Sequence, residues 1–240
     1  ETIRRGLEKE IINKRIIKIQ VNPSKIIQKP KVNLFITRLK DSFVKSIERK
    51  GKYFIFMLDT GDYLVVHLGM SGIILYKKEQ EDYSVFSKIK EKHNHIIFYF
   101  QDNSKMIYND VRRFGKIWLL NNIKTLAAIE SLGFEPLEYN FTAECFCMML
   151  QKNKKNIKSF LMNQKNIAGI GNIYANEILF HSGIHPLRKS NSLTLSEAKK
   201  IYFNIRNILT RAIELGGTTM IDETCLDSRG NKGNFGKTIM

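Results

Sequence analysis

Hydrophobic and polar residues follow two different patterns along the chain, and the change from one to the other falls near residue 123. Residues 2–13 have apolar positions every four residues, as in an amphipathic helix, and residues 15–21 alternate as in a strand. Further short strand patterns occur at 43–48, 53–58, 63–68, 72–76, 95–100, 105–108 and 116–120. Because turns rich in Asp, Asn and Gly separate several of these strands, the pattern predicts an antiparallel β-sandwich of about 120 residues.

The second part of the chain has a helical period. Helices are predicted at 143–151, 157–164, 173–181 and 195–215, and the last one begins with a capping box from Thr194 to Glu197. Its buried stripe is predicted to be Ala198, Tyr202, Ile205, Leu209 and Ala212. The fold class is therefore α+β, with an N-terminal antiparallel β-sandwich and flanking helix at 1–122, a linker at 123–139, a helical domain at 140–216 and a loop and tail at 217–240.

Charge narrows the choice of partners. Lys and Arg number 39 against 23 Asp and Glu, which gives a net charge of +16, and the isoelectric point is near 9.7. A pI above about 9 is typical of proteins that bind polyanions, although a Lys-rich composition alone gives the same value. No apolar run approaches the ~18 residues of a membrane span, and no export signal is expected. Three cysteines complete neither a disulfide framework nor a four-cysteine zinc site.

A glycine-rich turn precedes one predicted helix. Gly169 and Gly171 permit a sharp turn, and Asn172 is predicted to cap the helix that follows. The unpaired N–H groups and positive dipole end of such a helix form a seat for a phosphate, whereas a plain tight turn is the simpler alternative. A dinucleotide-binding interpretation is excluded, because Tyr174 stands where that motif requires Gly.

Two predicted inter-strand loops carry side chains suited to a nucleic-acid groove. Arg112 and Arg113 precede Phe114, and buried guanidinium groups are costly, so this loop is expected at the surface. Arginine binds base acceptors with two hydrogen bonds and phenylalanine wedges between stacked bases, whereas the alternative is a solvated turn with Phe114 in the core. Met70 lies between two glycines, where it either protrudes from a sheet edge or fills the core.

Other candidate residues are less specific. Lys52 follows a glycine before an apolar strand and is either a phosphate contact, an active-site ammonium or a plain surface lysine. His93 and His95 have the spacing of a metal pair, but further ligands at a suitable spacing are missing, so no metal site is predicted. A basic cluster leads into a predicted helix at Lys152, Lys154, Lys155 and Lys158.

Together, these segments resemble the bacterial formamidopyrimidine-DNA glycosylase family over essentially the whole chain. The resemblance rests on the order of ETIRRGL at 1–7, HLGMSG at 67–72, KHNH at 92–95, DVRRFG at 110–115, GIGNIYANE at 169–177, GIHP at 183–186 and GGTT at 216–219. It implies a β-sandwich followed by a helix–two-turns–helix domain, acting as a monomer on damaged double-stranded DNA in the bacterial cytoplasm, without a membrane partner.

The resemblance also implies roles for individual residues. Phe114 wedges into the duplex, Met70 replaces the extruded base and Arg112 binds the orphaned cytosine, while an oxidised purine such as 8-oxoguanine is flipped out. Phosphate contacts are implied for Lys52, His93, Lys158 and Asn172, and Lys52 is also implicated in the elimination steps. A loop from residue 218 to residue 235, beginning with Thr218 and Thr219, is similar to the lid that covers the flipped base in this family, and Cys225 lies in it.

Enzymes of this family are bifunctional, acting as DNA glycosylases and as abasic-site lyases. Their nucleophile, the glutamate after it and their zinc finger are absent from the sequence. The nucleophile is an N-terminal proline followed by a glutamate, and the zinc lies in a C-terminal four-cysteine finger. None of these is among residues 1–240, so the chain is expected to be truncated at both ends, to bind no zinc and to be inactive alone, forming no borohydride-trapped adduct. Alternative interpretations are an endonuclease VIII-type enzyme for oxidised pyrimidines and a non-catalytic damaged-DNA-binding protein.

Overall fold

The structure, a computed structural model, describes residues 1–23, 25–79, 89–219 and 226–238 and divides into two compact units. Unit 1 contains Glu1–Thr125 and Leu215–Thr238, and unit 2 contains Leu126–Glu214. The linker expected at 123–139 is therefore not a separate segment. Within unit 2, the Phe134 N–H donates to the Asn166 carbonyl at 3.1 Å, and the Ala168 N–H donates to the Phe134 carbonyl at 2.8 Å. The described part of the segment expected as a separate tail, 217–238, belongs to unit 1.

Unit 1 contains a four-stranded sheet of order β1-β7-β8-β6 and a five-stranded sheet of order β2-β9-β5-β4-β3. All neighbouring strands are antiparallel except β2 and β9, which are parallel. The strands are β1 (Ile16–Val21), β2 (Ile27–Lys29), β3 (Val44–Lys50), β4 (Tyr53–Leu58), β5 (Tyr63–His67), β6 (Gly72–Lys77), β7 (Asn94–Phe100), β8 (Lys105–Asp110) and β9 (Lys116–Leu120). The predicted sandwich is confirmed, with one parallel pairing that local alternation does not reveal.

The core of unit 1 joins side chains of both sheets with two helices, α1 (Thr2–Ile11) and α2 (Val32–Leu39). Each helix is amphipathic and contributes its apolar stripe: Leu7 and Ile11 from α1, and Phe35 and Leu39 from α2, are fully buried. The strands contribute every second residue, as the period of two requires. Fully or nearly fully buried strand members include Ile19, Ile47, Phe56, Leu58, Leu64, Ile74, Ile96, Phe98, Ile117 and Leu119.

The outer face of β6 is also buried, which explains why its burial does not alternate. Ile73, Leu75 and Ile107 form a second apolar cluster there, and Leu226 packs against it. The Tyr76 N–H donates to the carbonyl of Ser228 at 2.7 Å. Leu226 and Ser228 therefore lie against this strand, and the segment 226–238 belongs to the same unit.

Unit 2 is helical, with α3 (Ala127–Glu130), α4 (Ala143–Gln151), α5 (Ile157–Met162), α6 (Asn172–Ser182) and α7 (Leu195–Glu214). The capping box of α7 is confirmed: the Thr194 N–H donates to the Glu197 carboxylate at 2.8 Å, and the Glu197 N–H donates to Thr194 Oγ1 at 3.3 Å. The predicted stripe is only partly right, because Tyr202 and Leu209 are half-buried. The buried positions of α7 are Ala198, Ile201, Asn204, Ile205, Ile208 and Ala212.

One buried polar pair lies between α6 and α7. Asn204 Nδ2 donates to Ser182 Oγ at 2.9 Å, and Ser182 Oγ donates to the Ile178 carbonyl at 2.6 Å. Both side chains are at least nine-tenths buried, so these hydrogen bonds offset the desolvation of their polar atoms. Among the residues that the structure describes, no helix is both long and apolar enough to cross a bilayer.

Candidate functional site

The strand registers of unit 1 bring four connections to one end of the sandwich. In the five-stranded sheet, Tyr53 pairs with His67 and His67 pairs with Lys116, so the β3–β4 turn, the end of β5 and the start of β9 lie side by side. In the four-stranded sheet, Gly72 pairs with Asp110 at the same end. The β5–β6 loop (68–71) and the β8–β9 loop (111–115) both cross from one sheet to the other there, and the turn 91–93 precedes β7.

The three residues that the resemblance implies for filling the base gap are all at the surface of these two loops. Met70 is 61% exposed and Phe114 is 54% exposed, and Arg112 is also exposed. The alternatives that place Met70 or Phe114 in the core are therefore wrong. The Arg112 guanidinium carbon lies 5.2 Å from the centre of the Phe114 ring. A Cβ on Gly69 would lie only 2.6 Å from the Phe114 carbonyl carbon, so the two loops are in backbone contact.

A buried carboxylate holds the base of the β8–β9 loop. Asp110 is fully buried, and its Oδ2 accepts the Gly115 N–H at 2.8 Å and the Tyr108 hydroxyl at 3.3 Å. Its Oδ1 accepts the Ser71 hydroxyl at 2.6 Å and the Arg112 N–H at 3.2 Å. Burial and the adjacent carboxylate raise the pKa of Tyr108, so the phenol stays a donor. Ser71 and Asp110 lie in the segments HLGMSG and DVRRFG, but the hydrogen bonds of their side chains become visible only in the structure.

Lys52 lies at the same end, on the β3–β4 turn. Its side chain is exposed, and desolvation by the surrounding protein lowers the pKa of its ammonium group. Burial is the main cause that lowers the pKa of His67, and the positive charges of Lys52 and Lys116 lower it further. His67 Nδ1 accepts the Gly69 N–H at 3.1 Å, so the neutral imidazole holds the start of the Met70 loop. His67 and Lys116 were not predicted as site residues.

His93 lies on the turn before β7 and is half-buried. Burial lowers its pKa, and the nearby positive charges of Lys92 and Arg113 lower it further. Its Nδ1 is buried without a hydrogen-bond partner among the residues that the structure describes. His95 Nε2 donates to the Asp110 carbonyl at 2.9 Å, which holds this ring against the end of β8.

The glycine turn lies in unit 2 and is held by a residue that the sequence did not single out. Gln164 Oε1 accepts the Gly169 N–H at 2.8 Å, and Gln164 Nε2 donates to the Ile170 carbonyl at 2.9 Å. Gly169 has φ of +88°, which favours glycine. Gly171, and not Asn172 as predicted, is the N-cap of α6, because the helix begins one residue earlier than expected. Asn172 is exposed in the first turn, beside the unpaired N–H groups.

Lys158 also belongs to unit 2 and lies in the first turn of α5. The helix is capped by Asn156, whose side chain accepts the Ser159 N–H at 2.7 Å. The Lys158 side chain is half-buried, and its N–H donates to the Pro186 carbonyl at 3.3 Å. Two predicted phosphate contacts therefore lie on consecutive helices of unit 2, and α5 packs against α6.

Thr218 and Thr219 form the base of the loop that resembles a lid. Thr218 is 9% exposed and pairs through its backbone with Asn234, and Thr219 Oγ1 accepts the Gly233 N–H at 2.8 Å. A Cβ on Gly233 would lie 2.2 Å from the Gly217 carbonyl oxygen, so the two strands of the base touch. Cys225 and the rest of 220–225 lie outside the described residues.

Zinc, which the resemblance implies, has no ligand set in the described parts of the chain. Residues 1–23, 25–79, 89–219 and 226–238 contain no group of three or more His, Cys, Asp or Glu side chains that would hold a metal ion. Cys147 is buried, and burial raises the pKa of its thiol, which disfavours the thiolate that zinc binds. No step of the chemistry is therefore assigned to zinc.

Two family models match the sequence. A model described as the formamidopyrimidine-DNA glycosylase N-terminal domain matches residues 1–117, and one described as the formamidopyrimidine-DNA glycosylase H2TH domain matches residues 132–224. Relatives named formamidopyrimidine-DNA glycosylase include that of Ligilactobacillus salivarius, 40% identical over 98% of this chain and 82% of the relative. That of Wolbachia pipientis subsp. Culex pipiens is 39% identical over 92% of this chain and 79% of the relative.

Solved structures of proteins named Fpg superpose on this chain over nearly its whole length. The Lactococcus lactis Fpg in complex with DNA that contains an abasic site superposes with a TM-score of 0.86, at 31% identity, over 99% of this chain and 84% of that one. The MutM (Fpg) protein from Thermus thermophilus superposes with a TM-score of 0.83, at 27% identity, over 99% of this chain and 83% of that one.

Proposed function

The chain belongs to the formamidopyrimidine-DNA glycosylase family, and we propose that it excises oxidised purines from double-stranded DNA in base-excision repair. The observation that carries this proposal is the joint exposure of Met70, Arg112 and Phe114 on two touching loops. Two exposed apolar side chains beside an exposed arginine suit a kinked duplex with a vacant base position, because such a duplex offers an apolar gap next to unpaired base edges. The Lactococcus lactis neighbours, solved with abasic-site DNA and with Fapy-dG DNA, support it.

The resemblance implies a different role for each of the three residues, and the chemistry of each side chain suits that role. The Phe114 ring enters between stacked bases, where it unstacks one step and bends the duplex. Met70 is unbranched and apolar, so it fills the irregular hole that the extruded nucleotide leaves. Arg112 donates two hydrogen bonds to the cytosine that has lost its partner, and this contact distinguishes cytosine from the other bases.

Positively charged and polar groups of each unit bind the phosphate backbone of the DNA. Lys52 and Arg113 are exposed at the end of the sandwich, and Lys158 and Asn172 supply contacts in unit 2. The exposed first turn of α6 adds N–H groups that favour a phosphate. His93, neutral near pH 7, presents a ring nitrogen and not a second charge.

Flipping the oxidised base exposes its sugar carbon, and cleavage of the N-glycosidic bond follows. We extend the proposal to cleavage of the abasic strand, in which Lys52 transfers protons, since an ammonium group with a lowered pKa gives up its proton more readily. The proline nucleophile implied by the resemblance is not among residues 1–240, so the covalent step is assigned to no residue of this sequence. The resemblance implies a cover over the flipped base in the segment that begins at Thr218 and Thr219, and the contacts of these two residues with Asn234 and Gly233 fix the start of that segment.

Binding measurements with matched duplexes test the proposal. We expect residues 1–240 to bind a duplex with 8-oxoguanine opposite cytosine more tightly than the same duplex with guanine. The affinity is expected to fall steeply with salt, because Lys and Arg displace counterions from phosphates. Tighter binding to a thymine glycol duplex would favour the oxidised-pyrimidine alternative, and equal affinity for damaged and undamaged DNA would contradict lesion recognition.

A further inference from the structure

The two loops that carry the gap-filling residues are joined through a single hydroxyl group. Ser71 directly follows Met70, and its Oγ donates to Asp110 Oδ1 at 2.6 Å while accepting the Arg112 N–H at 2.9 Å. We propose that the Ser71–Asp110 pair is a positioning latch that sets Arg112 for reading the base opposite the lesion. The inference rests on the proposed function, because it assigns that reading to Arg112.

Asp110 is held so that it has one orientation. It is fully buried, and its two oxygens together accept four hydrogen bonds, two from backbone N–H groups and two from hydroxyls. Its own carbonyl accepts the His95 ring N–H at 2.9 Å. A buried carboxylate with this many donors is fixed in place, because rotation would leave several of these groups unsatisfied.

Ser71 suits the bridging position because a hydroxyl donates and accepts at the same oxygen. Alanine at this position loses both bonds, and Arg112 N–H keeps only the longer contact to Asp110, at 3.2 Å. The hydroxyl therefore transmits the position of the Met70 loop to the backbone of Arg112.

The latch has a consequence for recognition, because the Arg112 side chain is exposed and its direction depends on its backbone. Arg113, the next residue, has φ of +58°, a strained conformation that persists only where neighbours enforce it. An unlatched loop would have to be ordered during binding, and that entropy cost reduces the gain from the arginine–cytosine bonds. The latch thus acts on discrimination and not on general DNA affinity.

The test compares Ser71→Ala with Ser42→Ala. Ser42 is likewise buried, and its hydroxyl donates to the Leu39 carbonyl at 2.7 Å, so its loss controls for a missing buried hydrogen bond. The full chain is titrated with duplexes that carry a stable tetrahydrofuran abasic analogue opposite cytosine or adenine. Ser71→Ala is expected to lower the cytosine-to-adenine affinity ratio by about threefold to tenfold. Affinity for undamaged duplex is expected to stay within about twofold.

A second measurement needs no DNA. Hydrogen exchange of the Arg112 and Gly115 amides is followed in the wild type, in Ser71→Ala and in Asp110→Asn. We expect Ser71→Ala to accelerate exchange at Arg112 and to leave Gly115 protected, whereas Asp110→Asn accelerates both. Ser42→Ala is expected to change neither.

Each outcome decides one of the two claims. A wild type that binds abasic and undamaged duplexes equally contradicts the proposed function, while the exchange data still report on the latch. Where the wild type discriminates but Ser71→Ala keeps its ratio, or loses affinity for all duplexes alike, the latch is wrong and the proposed function stands. Unchanged exchange at Arg112 in Ser71→Ala also overturns the latch.

Discussion

The guanidinium group of Arg112 lies over the ring of Phe114, with 5.2 Å between its Cζ and the ring centre. Two side chains with different expected roles in the duplex therefore restrain each other before DNA is bound. Such a contact contributes about 0.5–1 kcal/mol at an exposed site, too little to prevent their separation in a complex. In the proposed complex we expect the pair to separate, so that the ring enters the base stack and the guanidinium turns to the base opposite the lesion.

Substitutions of Arg112 and Arg113 distinguish recognition of the base opposite the lesion from general electrostatic attraction to DNA. Arg112→Gln is expected to remove about 1–3 kcal/mol of discrimination between cytosine and other bases opposite the lesion. Arg113→Gln, the matched loss of charge on the neighbouring residue, is expected to weaken all duplexes alike and to lower the salt dependence. Titrations of four duplexes that differ only in the opposite base measure both effects. Equal weakening of every duplex by Arg112→Gln would show that the orphan-base role is wrong.

Removing the Phe114 ring should reduce duplex distortion with little effect on folding. The ring is 54% exposed, so Phe114→Ala is expected to leave the free energy of unfolding nearly unchanged while weakening lesion binding by about 1–3 kcal/mol, the value of one base–aromatic stack. A 2-aminopurine base beside the lesion reports unstacking through its fluorescence. Phe180→Ala, which removes a ring that is 62% exposed in unit 2, serves as the control. If both variants unstack the probe equally well, Phe114 is not the wedge.

Two glycines with positive φ allow the contact between the loops to be tested. Gly61 has φ of +82° with no atom within 4 Å of a built Cβ, and Gly69 has φ of +66° with the Phe114 backbone at 2.6 Å. Gly61→Ala is expected to cost about 1–2 kcal/mol through backbone strain alone. Gly69→Ala is expected to cost about 2–5 kcal/mol, because a steric clash adds to the strain. Urea unfolding measures the difference, and equal costs would mean that the loops separate easily.

The stability of the protein is expected to fall in mild acid. The pKa of His67 is lowered in the folded state, so below its ordinary value of 6.5 the unfolded chain binds more protons than the folded one. The contribution of His67 is therefore fully present above pH 6.5 and is lost as the pH falls toward its folded pKa. His67→Asn should flatten the decline of the unfolding free energy below pH 6.5. Tyr53→Phe is the control, because the Tyr53 ring packs against His67 but does not titrate in this range, and it should leave the decline unchanged. An unchanged slope in His67→Asn would contradict this assignment.

Much of the fold follows from local patterns. The bounds predicted for β4, β9 and α4 agree with the structure, since alternation and helical period act over a few residues. β2 and α2 are absent from the prediction because both are short, and the three residues of β2 are defined by parallel pairing with the distant β9. The burial of both faces of β6 was also missed. The residues that contact its second face, Leu226 and Ser228, lie far away in the sequence, so no local pattern indicates them.

The candidate site divides in the same way. Met70, Arg112 and Phe114 are recognisable in the sequence, and their family roles remain predictions. Their support is not recognisable: Ser71 and Asp110 are 39 residues apart, and only the pairing of β6 with β8 brings them together. Gln164 was missed for a similar reason, since its amide acts on a turn whose glycines alone attract notice.

The Asn204–Ser182 hydrogen bond determines how α6 is aligned along α7. Leucine or alanine side chains along two packed helices tolerate sliding by a turn, but an amide and a hydroxyl tolerate only the alignment that joins them. Moving α6 along α7 by one turn, about 5.4 Å, would leave the buried Asn204 amide without this partner, while Ser182 would keep its bond to the Ile178 carbonyl in its own helix. One buried hydrogen bond thus fixes the position of α6 along α7, and with it the position of the helix start at Asn172.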